Sequence, residues 1–366
     1  MIFVTRPDLP ELNDLIPYLE RLWHSRVLTN GGEFHNELES SLCKYLGVKH
    51  ISLFNNATTA LLVSLKALEI TGSVITTPYS FVATSHSLLW NGLNPIFVDI
   101  SRTSFNIDVE KIENAITEDT SCILAVHCYG EPCETERIAS IADKYNLKVI
   151  YDAAHAFGVR KNDRSILNSG DLSVLSFHAT KSFNTFEGGA IISHDITTKQ
   201  KVDSLRNFGF QNEVTVSDVG INGKMNELNA IIGLLNLDQY SANLQKRAVI
   251  ANLYNIGLLN INGISIPSIN SSSDSNHSYY PILVNSSFKL TRDGLYDLLK
   301  KEGVFARRYF YPLISSFPMY SKYKSSAPDN LLVANLIANQ ILCLPIYPSL
   351  EKHNVERIIQ IIRDIH

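Results

Sequence analysis

Between Lys49 and about His194 the chain alternates short apolar runs with stretches whose apolar residues recur every three or four positions. Ile51-Ser52-Leu53-Phe54 reads as a strand, and Ala60, Leu61, Leu65 and Leu68 then recur at helical spacing. Further strands are expected at 73–77 and 95–99, with a helical segment at 81–91 between them. Residues 123–127 form the next strand. Ile138, Ile141, Ala142 and Tyr145 make a helical stripe, and 148–152 is another strand. Such alternation predicts an α/β fold with a largely parallel sheet and helices on both faces. Right-handed crossovers bring the strand C-terminal ends, and with them a ligand crevice, to one edge.

After about Tyr240 the pattern changes. A helical run at 242–259 is followed by INGISIPSINSSSDSNHS, whose Ser/Asn-rich part is a loop by composition. A strand at 279–284, a helix near 292–302 and a final helix at about 352–366 follow. The expected organisation is a large domain over 1–240 and a smaller α+β domain over 241–366.

Composition narrows the function classes. With 366 residues, 45% apolar and 19% charged, a sizeable core is expected. The net charge of -4 offers no general basic surface for nucleic acid. The five cysteines (Cys43, Cys122, Cys128, Cys133, Cys343) are scattered without metal-ligand spacing and read as reduced thiols of a cytoplasmic protein, so no metal is expected. Cys128 and Cys133 are a weak candidate for a metal or redox pair, since no second pair accompanies them. The N-terminal MIFVTRPDLPELND lacks the features of a secretion signal, and no run approaches the ~20 apolar residues of a membrane span.

The chemistry concentrates in DLSVLSFHATKSFNTFEGG, residues 171–189, where Lys181 follows an apolar strand and precedes a Glu-Gly-Gly turn. Asp152 ends another apolar strand in VIYDAAHAFG. An amine able to form an imine and a carboxylate able to hold a protonated pyridine nitrogen are what pyridoxal phosphate requires of a protein. A surface lysine and a helix-capping aspartate are the competing readings. His155 is placed to hydrogen-bond near Asp152 or the cofactor, or to be a satisfied structural histidine. Phe81, after Pro78, is a candidate ring-stacking platform or simply core. In Phe54-Asn55-Asn56-Ala57-Thr58-Thr59-Ala60-Leu61 a strand ends and a helix begins, which suits a phosphate dianion. The Ser176 hydroxyl is a further phosphate ligand candidate.

On these motifs the chain resembles the DegT/DnrJ/EryC1/StrS family of sugar aminotransferases, of the aspartate-aminotransferase fold. Leu28 to Gly32, Asn56 to Leu61, Pro78 to Thr84, Asp152 to His155, Ser176 to Lys181, Glu187 to Gly189, Gly220 to Met225 and Leu344 to Pro348 all carry the likeness. Ala57 departs slightly from the family's usual Gly or Ser, and Lys224 from its usual Arg. The resemblance implies that Lys181 is the Schiff-base lysine, Asp152 holds the pyridine nitrogen and Phe81 stacks on the ring. It implies that Ala57, Thr58 and Ser176 hold the phosphate and that Asn222 contributes across a homodimer interface with shared sites. A lysine at 181, where a dehydratase branch has histidine, favours transamination. The resemblance further implies L-glutamate as donor and a nucleotide-linked keto-deoxysugar as acceptor, with Arg307, Arg308, Tyr309 and Tyr311 as sugar-nucleotide contacts. Residue chemistry leaves amination at C4 or C3 open, and also leaves open a B6-binding regulatory protein with little catalysis.

Overall fold

The computed structural model describes residues 1–268 and 274–365. Part of the expected Ser/Asn-rich loop, 269–273, and the end of the last helix at 366 lie outside the described residues.

Seven strands form the central sheet: β1 (His50–Phe54), β2 (Ser73–Thr76), β3 (Asn94–Phe97), β4 (Thr120–Val126), β5 (Lys148–Asp152), β6 (Leu172–Ser176) and β7 (Gly189–Ser193). Their spatial order is β1-β7-β6-β5-β4-β2-β3. β2 to β6 run parallel to one another. β7 is antiparallel to both β1 and β6. A parallel pair needs a helical crossover, whereas β6 and β7 are joined by a loop alone, and that loop carries Lys181.

Alternate residues of each strand face opposite layers. Val74, Leu124, Ile150, Val174 and Ile191 pack with Leu61, Leu65, Val202 and Leu205 of the helices Ala57–Ala67 and Ile196–Leu205. On the other face Ile75, Ile123 and Val149 meet Ile138 and Ala142 of the helix Thr135–Tyr145. Leu53, Leu175 and Ile192 meet Leu38 and Leu42 of the helix Glu33–Leu46 and Ile231 of the helix Glu227–Gly257. Because both faces are covered, the strands are apolar throughout rather than alternating.

The C-terminal part holds a second, antiparallel sheet of β8 (Ile264–Ser265), β9 (Tyr280–Val284) and β10 (Ile341–Leu344). Ile282, Leu342 and Leu344 pack with Leu295 of the helix Arg292–Lys301 and Ile358 of the helix Lys352–Arg363. The long helix Glu227–Gly257 runs through the expected division at residue 240. Its first half serves the large core and Ile250 and Tyr254 serve the smaller one. The N-terminal strand Ile2–Phe3 pairs in parallel with Val304–Phe305, so the chain's first residues also join the C-terminal part.

Asp99, buried just past β3, ties the two parts together. Its carboxylate accepts the Val333 and Ala334 backbone N–H groups at 3.0 and 2.8 Å, capping the helix Leu332–Gln340, whose own N-cap, Leu331, has no acceptor to offer. The Lys111 amine lies 2.9 Å from the same carboxylate. Asp99→Ala is expected to cost about 2–3 kcal/mol, the scale of a lost buried, charge-assisted cap. Urea denaturation measures it as a lower midpoint at an unchanged slope; a midpoint equal to wild type contradicts the role.

Candidate active site

The C-terminal ends of β1, β2, β5 and β6 lie at one edge of the sheet, and the residues that follow them converge on a cavity of about 290 Å³. Its wall includes Ala57, Thr58, Phe81, Asp152, His155, Ser176, Lys181 and Tyr309, all expected from sequence. Among the described residues Lys181 is the only lysine lining it.

Each side chain has a local cause for its position. The side-chain oxygen of Asn56 accepts the Thr59 N–H at 2.8 Å and caps the helix Ala57–Ala67. The N–H groups of Ala57 and Thr58, in the same first turn, have no partner along the helix and lie at the cavity. The helix dipole adds a partial positive charge there. A Cβ at Gly189 would stand 2.6 Å from the Ala57 nitrogen, so only glycine lets β7 pass so close to this turn. Gly188 is equally constrained, with a Cβ 2.1 Å from the Thr185 hydroxyl. Gly189 is thus a packing requirement of the anion turn, and Gly188 one of the loop that carries Lys181.

Asp152 is 5% exposed at the end of β5. Thr84 Oγ1 donates to its Oδ2 at 2.7 Å and the Ala154 N–H to its Oδ1 at 3.1 Å. Burial raises its pKa above the ordinary carboxylate value, while those two hydrogen bonds and the Lys181 charge pull the other way. A cationic ring nitrogen is the kind of partner that would keep such a carboxylate ionised. Burial lowers the Lys181 amine to about 8, against the opposing pull of Asp152. Near neutral pH a useful fraction of the amine is therefore unprotonated, as a nucleophile or base requires.

His155 Nδ1 accepts the Tyr129 N–H at 3.2 Å, which places the ring proton on Nε2. Burial pushes its pKa well below the ordinary value, so the ring is neutral. It stacks parallel to Phe310, with centroids 5.8 Å apart, and edge-on to Tyr279 at 4.8 Å. Phe81 is 59% exposed, an aromatic face open at the cavity.

The other positions read from sequence lie elsewhere. Asn222 is exposed and bridges to Asn207 through the backbone, outside the cavity wall. Arg307 pairs its backbone with Cys343 and is exposed. Arg308 pairs with Asp293 at 2.8 Å and lies over the rings of Tyr296 and Tyr311. Tyr311 also carries the Arg292 guanidinium over its face. Within this stretch only Tyr309 and Phe310 reach the cavity.

Sequence reasoning missed several contributors. Thr84, which orients Asp152, sits one helical turn beyond Phe81 in the motif already singled out, a spacing that places both on one side of the helix start. Tyr279 and Phe310 come from the C-terminal part, and no local pattern marks them. Buried Tyr79 and Tyr129, with hydroxyls 2.7 Å apart, anchor this wall, because the Tyr129 hydroxyl donates to the Tyr309 carbonyl.

A mostly parallel sheet with one antiparallel strand, a lysine in the loop before it and an aspartate at a neighbouring strand end define a fold type I aminotransferase architecture. The DegT/DnrJ/EryC1/StrS aminotransferase family model matches residues 11–363, and the chain belongs to that family. It is 54% identical to a dTDP-4-amino-4,6-dideoxy-D-glucose transaminase of Escherichia coli over 360 residues, covering 98% of this chain and 97% of the relative. A protein of the same name from Shigella dysenteriae is 52% identical over 364 residues, covering 100% and 99%. The crystal structure of DesI in the presence of its TDP-sugar product is similar with a TM-score of 0.95 at 32% identity, covering 99% of this chain and 92% of that one.

Proposed function

We propose that the chain uses pyridoxal phosphate to move the amino group of L-glutamate to dTDP-4-keto-6-deoxy-D-glucose. The product is dTDP-4-amino-4,6-dideoxy-D-glucose, a deoxysugar for O-antigen assembly. The observation that carries this reading is the full-length identity with two transaminases of that sugar, joined to Lys181 and Asp152 lining one cavity. The C4 assignment has that support, whereas C3 amination and a regulatory role have none comparable.

Pyridoxal phosphate, when bound, supplies an electron sink that acidifies the carbon–hydrogen bond next to the reacting nitrogen. Lys181 would hold its aldehyde at rest, and Lys181 Nζ, once free, takes the donor's α-proton and returns a proton on the sugar side. Asp152, fixed by Thr84 and Ala154, holds negative charge at the ring nitrogen. His155 would offer the group its Nε2–H, and Phe81 would offer one ring face an aromatic platform. The Ala57 and Thr58 amides and the Ser176 hydroxyl hold the phosphate. Tyr309, at the cavity wall, is proposed to meet the sugar. Arg307, Arg308 and Tyr311 are proposed to meet the nucleotide part beyond the cavity mouth.

We further propose a cytoplasmic homodimer in which Asn222 of each subunit completes its neighbour's phosphate site. Exposed apolar side chains flank Asn222 at Phe208, Val219 and Ile221, which suits burial against a second copy. Among the described residues no helix is long and apolar enough to cross a membrane.

Incubation with L-glutamate and the 4-keto sugar, followed by NMR of the product, tests the reading. A new nitrogen at C4 with stoichiometric 2-oxoglutarate is the expected result. Turnover only with a 3-keto sugar moves the assignment to C3, and no release of 2-oxoglutarate on adding L-glutamate favours the regulatory role.

A further inference from the structure

We propose that the Tyr279 hydroxyl is the positioning partner of the Lys181 amine and links it to a one-water chamber beside the main cavity. The inference rests on Lys181 being the proton-carrying amine of the proposed reaction. Tyr279 Oη lies 3.4 Å from Lys181 Nζ. That is a long hydrogen bond, of the kind that tightens once substrate is bound.

The phenol is held from several sides. The turn before it is pinned by the Asn276 side-chain amide, which donates to the His155 and Phe157 carbonyls at 2.8 and 3.1 Å. Its ring packs edge-on against His155, and 5.4 Å and 5.6 Å from the rings of Tyr129 and Tyr309. Oη therefore cannot swing away without disturbing the packed wall.

Tyr279 also borders a second, smaller cavity of about 20 Å³, shared with the hydroxyl residues Thr5, Thr180, Ser278 and Tyr309. A volume on that scale holds one water. Ser278 Oγ already donates to Asn276 Oδ1 and Thr180 Oγ1 to His178 Nδ1, so these two offer such a water lone pairs, and the Tyr279 hydroxyl offers a proton. A phenol can accept a hydrogen bond from an ammonium while donating to a water, or reverse both roles. Burial pushes the Tyr279 phenol well above its ordinary pKa, so it acts as a neutral O–H and not as a phenolate.

The other titratable groups at Lys181 do different work. Asp152 faces it from β5 with opposite charge, and His155 is held neutral by burial. His178 and Glu187, from its own loop, pair with each other at 3.4 Å and are exposed. Tyr309, across the cavity, has its carbonyl tied to Tyr129 and its phenol raised by burial. Tyr279 remains as the neutral hydrogen-bond partner of the amine.

Tyr279→Phe keeps the ring and removes the hydroxyl. Its first readout uses the protein stripped of B6: reductive methylation of Lys181 across pH, quantified on the Lys181 peptide by mass spectrometry. Wild type is expected to show a midpoint at about 8. Without the hydroxyl the ammonium is less solvated, so the midpoint falls by about half a pH unit or more. In the loaded enzyme, kcat for the glutamate half-reaction falls about tenfold with KM unchanged. A matching melting temperature separates this from misfolding. Thr5→Val alters the chamber and leaves the amine's partner in place, so it lowers kcat severalfold without moving the midpoint. Midpoint and kcat both equal to wild type in Tyr279→Phe overturn the positioning role. Unchanged kcat in Thr5→Val overturns the chamber's part. Wild-type protein that carries no B6 at Lys181 contradicts the proposed function itself, and the methylation midpoints still decide whether Tyr279 and Lys181 are coupled.

Discussion

Lys181→Ala is expected to abolish amino transfer, with a fall of about 10⁴-fold or more, because one nitrogen serves as both tether and base. The fold is expected to survive. Lys181 lies in a loop between β6 and β7, and among the described residues its amine has one hydrogen bond, a long one to Tyr279. Removing it relieves the desolvation that holds the amine at about 8, so the melting temperature stays level or rises. B6 still binds through the helix Ala57–Ala67 and Asp152, but unattached, and the absorbance of the tethered form disappears. Added methylamine is expected to restore part of the rate by supplying a base. Turnover near the wild-type rate in Lys181→Ala, without added amine, contradicts the assignment.

The second large effect is expected at Asp152. Asp152→Asn keeps shape and volume, and its amide can still meet Thr84 and the Ala154 N–H. What it loses is the negative charge that keeps the ring nitrogen protonated. Catalysis is expected to fall about 10³-fold, the scale on which a preorganised electrostatic partner matters. B6 affinity is expected to weaken, because the cationic ring nitrogen loses its anionic partner. Thr84→Val offers a graded comparison. It removes one of the two hydrogen bonds that oppose the burial of Asp152, so the carboxyl pKa rises further. Activity then falls less than in Asp152→Asn and its low-pH limb moves to higher pH, because protonation of Asp152 sets in earlier on acidification. An unchanged pH–rate profile in Thr84→Val contradicts the hydrogen bond's role.

These expectations rest on features of unequal legibility in the sequence. The sheet is written plainly, because strands buried on both faces must be apolar runs, and β5 was marked at both its ends. The antiparallel β7 lay hidden, since GAIIS differs from a parallel strand only in its connection, not its composition. The helix Glu227–Gly257 was visible only in its second half. Its first half is apolar around much of its circumference where it enters the large core, so no amphipathic stripe shows. The helix Leu332–Gln340 carries no cap of its own and borrows Asp99 from a distant position. The N-terminal turn at Leu28 to Gly32 is similar: buried Glu227 accepts the Phe34 and His35 N–H groups that follow it. Motifs within one loop, such as Ser176 to Lys181, could be read directly. Contacts made across the chain, such as Tyr279 with Lys181, follow from tertiary packing and leave no local pattern.

Everything in the chemistry turns on where B6 is attached. Reducing the B6-loaded wild-type protein with borohydride, digesting it and sequencing the tagged peptide by mass spectrometry locates the attachment. A single pyridoxyl tag on the amine of residue 181, absent from Lys181→Ala, is the expected result. A tag on another lysine, or none after full B6 loading, contradicts the assignment.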